Sequence, residues 1–197
     1  MIKIYPFSVQ STNHYLLDNG EYKLLIDCGF PASLNETGRQ IRNYGITLKE
    51  IDFLIHTHFH IDHAGATQDY KDIGIKCILL ENQLQALGKM EEFCHKKWPY
   101  KMLEQSDNLL FNHKNAEEFL SKKGFKVNIV STPSHSGDSV CYVMDDGSVF
   151  SGDLMHFNLI MDENSAVKKD WNAIAEAGGK IIYPGHGSVY QLNTNTL

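Results

Sequence analysis

The heptapeptide THFHIDH, Thr57 through His63, holds four side chains able to bind a metal: His58, His60, Asp62 and His63. A zinc ion takes about three or four protein donors in all, so this loop carries more than one ion needs from a single segment. In extended backbone, side chains two apart point the same way. His58 and His60 can therefore reach one point, while Phe59 and Ile61 turn toward the core. Asp62 and His63 are adjacent and need a bend to act together; the His-Ala-Gly that follows is read as that bend, leading into a helix. The cluster thus divides into two ligand pairs aimed at neighbouring points.

Three other segments offer the missing donors. STPSHSGDS places His135 beyond an apolar strand, VFSGDLM places Asp153 after a glycine, and IIYPGHG places His186 after a Pro-Gly turn. Loops held by rigid strands are where scaffolds present functional side chains. The expected centre is binuclear: His58, His60 and His135 on the first metal, Asp62, His63 and His186 on the second. Asp153 bridges, because a carboxylate has two oxygens and an imidazole has one free lone pair. Two divalent cations roughly 3.5–4 Å apart share a water, lower its pKa and supply a hydroxide. They also stabilise charge developing on a carbonyl or phosphoryl oxygen. Asp62, beside that water, is the expected catalytic base. Zinc suits the donors, as do iron and manganese.

Several short strands must position these loops. IKIYPFSV, HYLLDN and YKLLIDCG read as strands, the last two separated by an Asn19-Gly20 turn. PASLNETGRQIRNYG reads as a helix stopped at Gly45. IDFLIHTH is a short apolar strand that runs into the ligand cluster, AGATQDYKDIG a helix, and IKCILL a buried strand. Residues 81–123 are expected to be a mostly helical insert with Pro99 as a breaker. FKVNIVSTP, SVCYVM, SVFSGD and KIIYPGHG read as four more strands. The pattern fits two sheets covered by helices, and residues 1–197 are read as a single domain.

Composition limits the classes of function. With 197 residues the chain can bury its own core. Its formal charge of −6 and the lack of a Lys/Arg run argue against a broad nucleic-acid footprint. The opening MIKIYPFSVQSTNHY is unlike a secretory leader, and no apolar run of about 18 residues exists for a membrane span. Cys28, Cys77, Cys94 and Cys141 are scattered and are expected to be free thiols. The expected location is cytoplasmic, with no nucleic-acid or membrane partner.

THFHIDHAG, TPSHS, FSGD and YPGHG, in that order and preceded by LLIDCG, resemble the motifs of the metallo-β-lactamase superfamily. The match runs over about residues 13 to 187. The resemblance implies an α+β fold, a four-layer αββα sandwich, with metals in a groove at one edge of the two sheets. An Asp at position 153 resembles the glyoxalase II and lactonase branches; zinc β-lactamases commonly carry Cys there, so antibiotic hydrolysis is not expected. The chain departs from that branch in two ways. It runs eleven residues past His186, where glyoxalase II enzymes append a helical region, and its third motif reads PSHSGDS instead of Pro-Gly-His-Thr-x-Gly. The extra domain or basic arm of the nuclease branch is not visible.

The reading that follows is a binuclear hydrolase of a small thioester or lactone. Its rivals are a phosphodiesterase on the same two metals, a mononuclear iron oxygenase acting on a persulfide, and a non-enzymatic metal-dependent sensor. A small-molecule substrate is the expected partner, with a homodimer as the alternative for self-association. Asp27 is read as orienting the ligand histidines. His56 is read as solvent-facing or supporting a ligand, and His156 and His14 as candidates to line the groove. His95 and His113 are read as surface residues and Cys94 as a buried thiol. Trp98 and Tyr100 are read as core, dimer contact or a lid.

Overall fold

The computed structural model describes residues 1–94, 97–160 and 166–192. Its strands are β1 (Lys3–Val9), β2 (Thr12–Asp18), β3 (Lys23–Ile26), β4 (Phe53–Ile55), β5 (Lys76–Leu80), β6 (Leu109–Phe111), β7 (Val127–Ser131), β8 (Val140–Met144), β9 (Ser148–Gly152), β10 (Ile181–Pro184) and β11 (Tyr190–Gln191). Its α-helices are α1 (Leu34–Arg42), α2 (Ile61–Ala64), α3 (Thr67–Asp72), α4 (Leu84–Cys94), α5 (His113–Lys122) and α6 (Ala166–Glu176). One sheet has the order β1-β2-β3-β4-β5-β6 and the other β11-β10-β9-β8-β7. Both are mixed: β1 to β3 pair antiparallel and β3 to β6 parallel, while β9 and β10 are the parallel pair of the second sheet.

Strand alternation builds the layers. Leu24 and Ile26 of β3, with Phe53 and Ile55 of β4, meet Tyr142 and Met144 of β8 and Phe150 of β9 between the sheets. The intervening Leu25 and Leu54 point outward and pack against Ile41 of α1 and Tyr70 of α3. On the far side, Cys141, Val143, Val149 and Ile182 pack against Trp171 and Ile174 of α6. The result is the expected αββα order. Two buried hydroxyls tie the sheets together across the core: Tyr15 donates to the Pro184 carbonyl at 2.7 Å and Tyr142 to the His56 carbonyl at 2.7 Å.

The stretch 81–123 is less helical than its sequence implies. It contains α4 and α5 but also β6, which adds to the first sheet beside β5. Three residues, Leu-Leu-Phe, carry too little alternation to announce a strand; pairing with β5 decides it. α6 carries little helical signal in the sequence, because its buried residues on the apolar side are only Trp171 and Ile174. All four cysteines are buried and unpaired, as expected. Among the described residues, no helix is long and apolar enough to cross a membrane.

Candidate metal centre

Every ligand-bearing loop leaves the end of a strand on one edge of the sandwich. His58, His60, Asp62 and His63 follow β4 in the first sheet, while His135, Asp153 and His186 follow β7, β9 and β10 in the second. The chain bends earlier than the sequence reading placed it. His60 is the extended residue that precedes α2, and Asp62 and His63 lie in its first turn. Consecutive helical positions differ by about 100°, so Asp62 and His63 approach their shared point from different sides.

All seven residues assigned from sequence converge. His58 Nε2 lies 3.0 Å from His60 Nδ1 and 3.1 Å from His135 Nε2, and the last two are 3.2 Å apart. His63 Nε2, His186 Nε2 and Asp62 Oδ2 form the second group, with Asp62 Oδ2 at 3.5 Å and 3.2 Å from the two rings. Asp153 joins both. Its Oδ1 is 3.0 Å from His63 Nε2 and 3.4 Å from His186 Nε2, while its Oδ2 is 3.9 Å from both His58 Nε2 and His135 Nε2. Within each four-residue set the ligand atoms lie within 4.8 Å of one another.

Supporting hydrogen bonds decide which ring nitrogens face the centre. Thr57 Oγ1 donates to Asp27 Oδ2 at 2.8 Å, so it accepts from His58 Nδ1 at 3.0 Å and leaves His58 Nε2 unprotonated. His63 Nδ1 donates to the same Asp27 oxygen at 2.9 Å, and His186 Nδ1 donates to the Ser11 carbonyl at 2.7 Å. Once Nε2 is deprotonated, each of these three rings would turn a lone pair inward, the arrangement that metal-binding imidazoles require. Burial, followed by the neighbouring His63, His135 and His60, holds His58 well below 6.5, so the ring is neutral. For His63, burial opposes the charged form, but Asp27 and Asp153 together outweigh it and raise the ring to about 10 in the metal-free protein.

These residues fit a divalent metal pair. Tetrahedral zinc with Zn–N bonds of about 2.0–2.1 Å needs nitrogens roughly 3.3 Å apart, close to the spacing of the first group. His63 Nε2 and Asp153 Oδ1 are buried and face each other at 3.0 Å, but neither makes a hydrogen bond of regular geometry. A buried polar atom without a partner is costly, and a cation between them would satisfy both. Space is reserved as well. A carbon added at Gly185 would lie 2.5 Å from Asp153 Oδ1 and 2.6 Å from His63 Cε1. At Gly152, where φ is +52°, it would lie 2.6 Å from Thr57 Oγ1.

Of the other residues around the centre, some differ from their sequence readings. His56 is fully buried, not solvent-facing, with its ring at 2.9 Å from Thr67 Oγ1. His14 is buried beneath the site and does not reach a groove. His156 does line a cleft, beside Asp153 and His186, and packs at a tilt against Tyr190 at 4.0 Å between ring centres. His113 is half-buried and meets Asn82 Oδ1 at 3.1 Å, and His95 lies outside the described residues. Trp98 is exposed beside Phe30, while the half-buried Tyr100 donates to Glu91 at 3.4 Å.

Four supporting residues escaped the sequence reading. Thr57 opens the motif and orients His58. Asn13 donates to the Pro184 and Gly187 carbonyls at 3.0 and 2.8 Å, fastening the His186 loop to β2. Thr12 donates to Asp62 Oδ2 at 3.2 Å. Asp138 accepts from Phe59 N–H at 2.7 Å and from Ser136 Oγ at 2.7 Å, locking the first ligand loop to the His135 loop. The polar run Ser11-Thr12-Asn13 was the available signal for two of these.

The model of the metallo-beta-lactamase superfamily matches residues 8–186 of this chain. The chain belongs to that superfamily. Among curated relatives, it is 28 % identical over 195 residues to the beta-lactamase-like protein 2 homolog of Drosophila melanogaster, covering 93 % of this chain and 61 % of the relative. It is 25 % identical over 196 residues to the atrochrysone carboxyl ACP thioesterase of Passalora fulva, covering 94 % and 51 %. The chain thus spans between half and about three fifths of the length of these relatives. In fold it is similar to a metallo-beta-lactamase family protein from Thermus thermophilus, with a TM-score of 0.71 at 15 % identity, covering 96 % of this chain and 74 % of that one. A subclass B3 metallo-beta-lactamase from a soil metagenome library superposes with a TM-score of 0.66 at 18 % identity, covering 93 % and 76 %.

Proposed function

We propose that this metallo-beta-lactamase-fold protein is a binuclear metallohydrolase that cleaves a small thioester or lactone. The observation that carries the reading is Asp153, whose two oxygens face the two separate ligand groups. His58, His60 and His135 would hold one cation, and Asp62, His63 and His186 the other, with zinc the first candidate. Two such cations lower the pKa of a shared water and polarise the carbonyl oxygen.

The chain's own residues do the rest. Thr57, Asp27 and the Ser11 carbonyl keep the ligand rings in one tautomer. Asp62 Oδ2 is occupied by Thr12 and the second ligand group. Its Oδ1 takes the proton from the attacking water as the water oxygen adds to the carbonyl carbon. The C–S or C–O bond then breaks, and the leaving group departs with that electron pair and takes the proton that Asp62 received. The thioesterase name of the Passalora fulva relative supports a thioester over other esters.

Elemental analysis combined with a panel of thioesters, lactones, β-lactams and phosphodiesters tests the reading. Two equivalents of metal with turnover of thioesters or lactones is the expected result. Turnover confined to phosphodiesters would overturn the substrate class, and a single bound iron with oxygen uptake would overturn the reaction.

A further inference from the structure

A cavity of about 550 Å³ opens beside the metal centre, between the loop carrying His60 and Asp62 and the outer side of α4. Ala86, Lys89, Met90 and Phe93 stand at helical spacing on that wall. Phe93 is 52 % exposed and offers apolar surface on the cavity side of α4. The cavity's acidic side chains are already engaged: Asp62 with Thr12 and the second ligand group, Asp138 with Phe59 and Ser136. Lys89 is different. Among the described residues its ammonium has no ion pair, and it is the one lysine or arginine lining the cavity.

A second ammonium, Lys97, sits 4.3 Å above the Phe93 ring. These cations are set in a chain of net charge −6, which opposes anions at long range. Attraction of an anion here must therefore be local. The wall contains no arginine fork, since Arg39 and Arg42 both lie on α1. With Lys97 engaged on the Phe93 ring, Lys89 is left as one point charge, suited to a single compact anion such as a carboxylate.

We propose that the α4 wall selects substrates with an apolar arm ending in a carboxylate, the arm lying on Met90 and Phe93 and the carboxylate pairing with Lys89. This rests on the hydrolase reading above and narrows its substrate class. The test uses zinc-loaded protein and two matched thioester pairs. One pair carries the carboxylate on the acyl side (glutaryl against valeryl), the other on the thiol side (3-mercaptopropionate against propanethiol). In one of the two pairs, Lys89→Met is expected to lower kcat/KM about tenfold for the charged member and leave the methyl-terminated member unchanged. Phe93→Ala is expected to weaken both members of that pair alike.

Lys89→Met affecting charged and uncharged substrates equally, or neither, would overturn the proposal while leaving hydrolysis in place. Binding of the corresponding ketones, with CH2 replacing the thioester sulfur, supplies a readout without turnover. Loss of the charged ketone's advantage in Lys89→Met supports the α4 wall even if no thioester is cleaved, and that result would count against the hydrolase alone. Equal binding of both ketones by the unaltered protein would overturn the wall.

Discussion

Asp27 Oδ2 lies 2.9 Å from His63 Nδ1, and the same oxygen accepts from Thr57 Oγ1, which in turn holds His58. A single buried carboxylate therefore orients one ring in each ligand group. Its Oδ1 is engaged as well, by the Thr57 N–H at 2.8 Å. Asp27→Asn places an amide where two donors converge and one partner is left unmatched. Zinc affinity is expected to fall about 10- to 100-fold, read by competition with a chromogenic chelator. Unchanged affinity in a folded variant would remove Asp27 from this role.

Asp153 connects the groups, so its loss should uncouple them. In Asp153→Ala, bound metal is expected to drop below two equivalents by elemental analysis. Turnover should fall by at least roughly 10²-fold. Retention of two tightly held ions would show that the carboxylate is not shared.

The two tight glycines make separable predictions. Gly152→Ala puts a side chain on a left-handed backbone and against Thr57, and is expected to cost roughly 1–3 kcal/mol in denaturant melts of metal-free protein. Gly185→Ala collides with Asp153 and His63, so its principal expected effect is lost metal binding. Wild-type zinc affinity in Gly185→Ala would mean that the ligand loops yield more easily than their packing implies.

His14 sets an acid limit. Burial lowers its pKa from 6.5 to about 4, and both ring nitrogens lack hydrogen-bond partners. Above pH 6.5 the ring is neutral in folded and unfolded chains alike. Between 6.5 and 4 only the unfolded chain takes up the proton, so stability falls as pH falls, by roughly 3 kcal/mol from this group. Urea unfolding in chelator at pH 7.5 and 4.5 should show His14→Leu losing less on acidification than the wild type. Parallel losses in the two proteins would contradict the assignment.

Much of this centre was legible because its side chains are chemically rare and closely spaced. THFHIDH, His135, Asp153 and His186 could be paired into two groups from strand parity and donor chemistry before any coordinates. The layers were legible where alternation was clear, as in Leu24-Leu25-Ile26. Supporting interactions were harder to read. Ser11 contributes a carbonyl that every residue possesses, and Thr57 acts through a hydroxyl whose role depends on Asp27 being thirty residues away in sequence but adjacent in space. β6 and α6 are decided by what they pack against, and the bend at His60 by the short helix that follows it. The fates of His14 and His56, buried beneath the ligands, likewise depended on tertiary packing.

The seven donors are divided between the sheets, four after β4 and three after strands of the other half. No ion can be gripped fully until both halves have closed on each other, and a gripped ion then resists their separation. On the proposed reading, cellular metal supply would set how long each copy survives proteolysis, and starvation for the ion would thin the population of the protein itself before it merely silenced the molecules that remain.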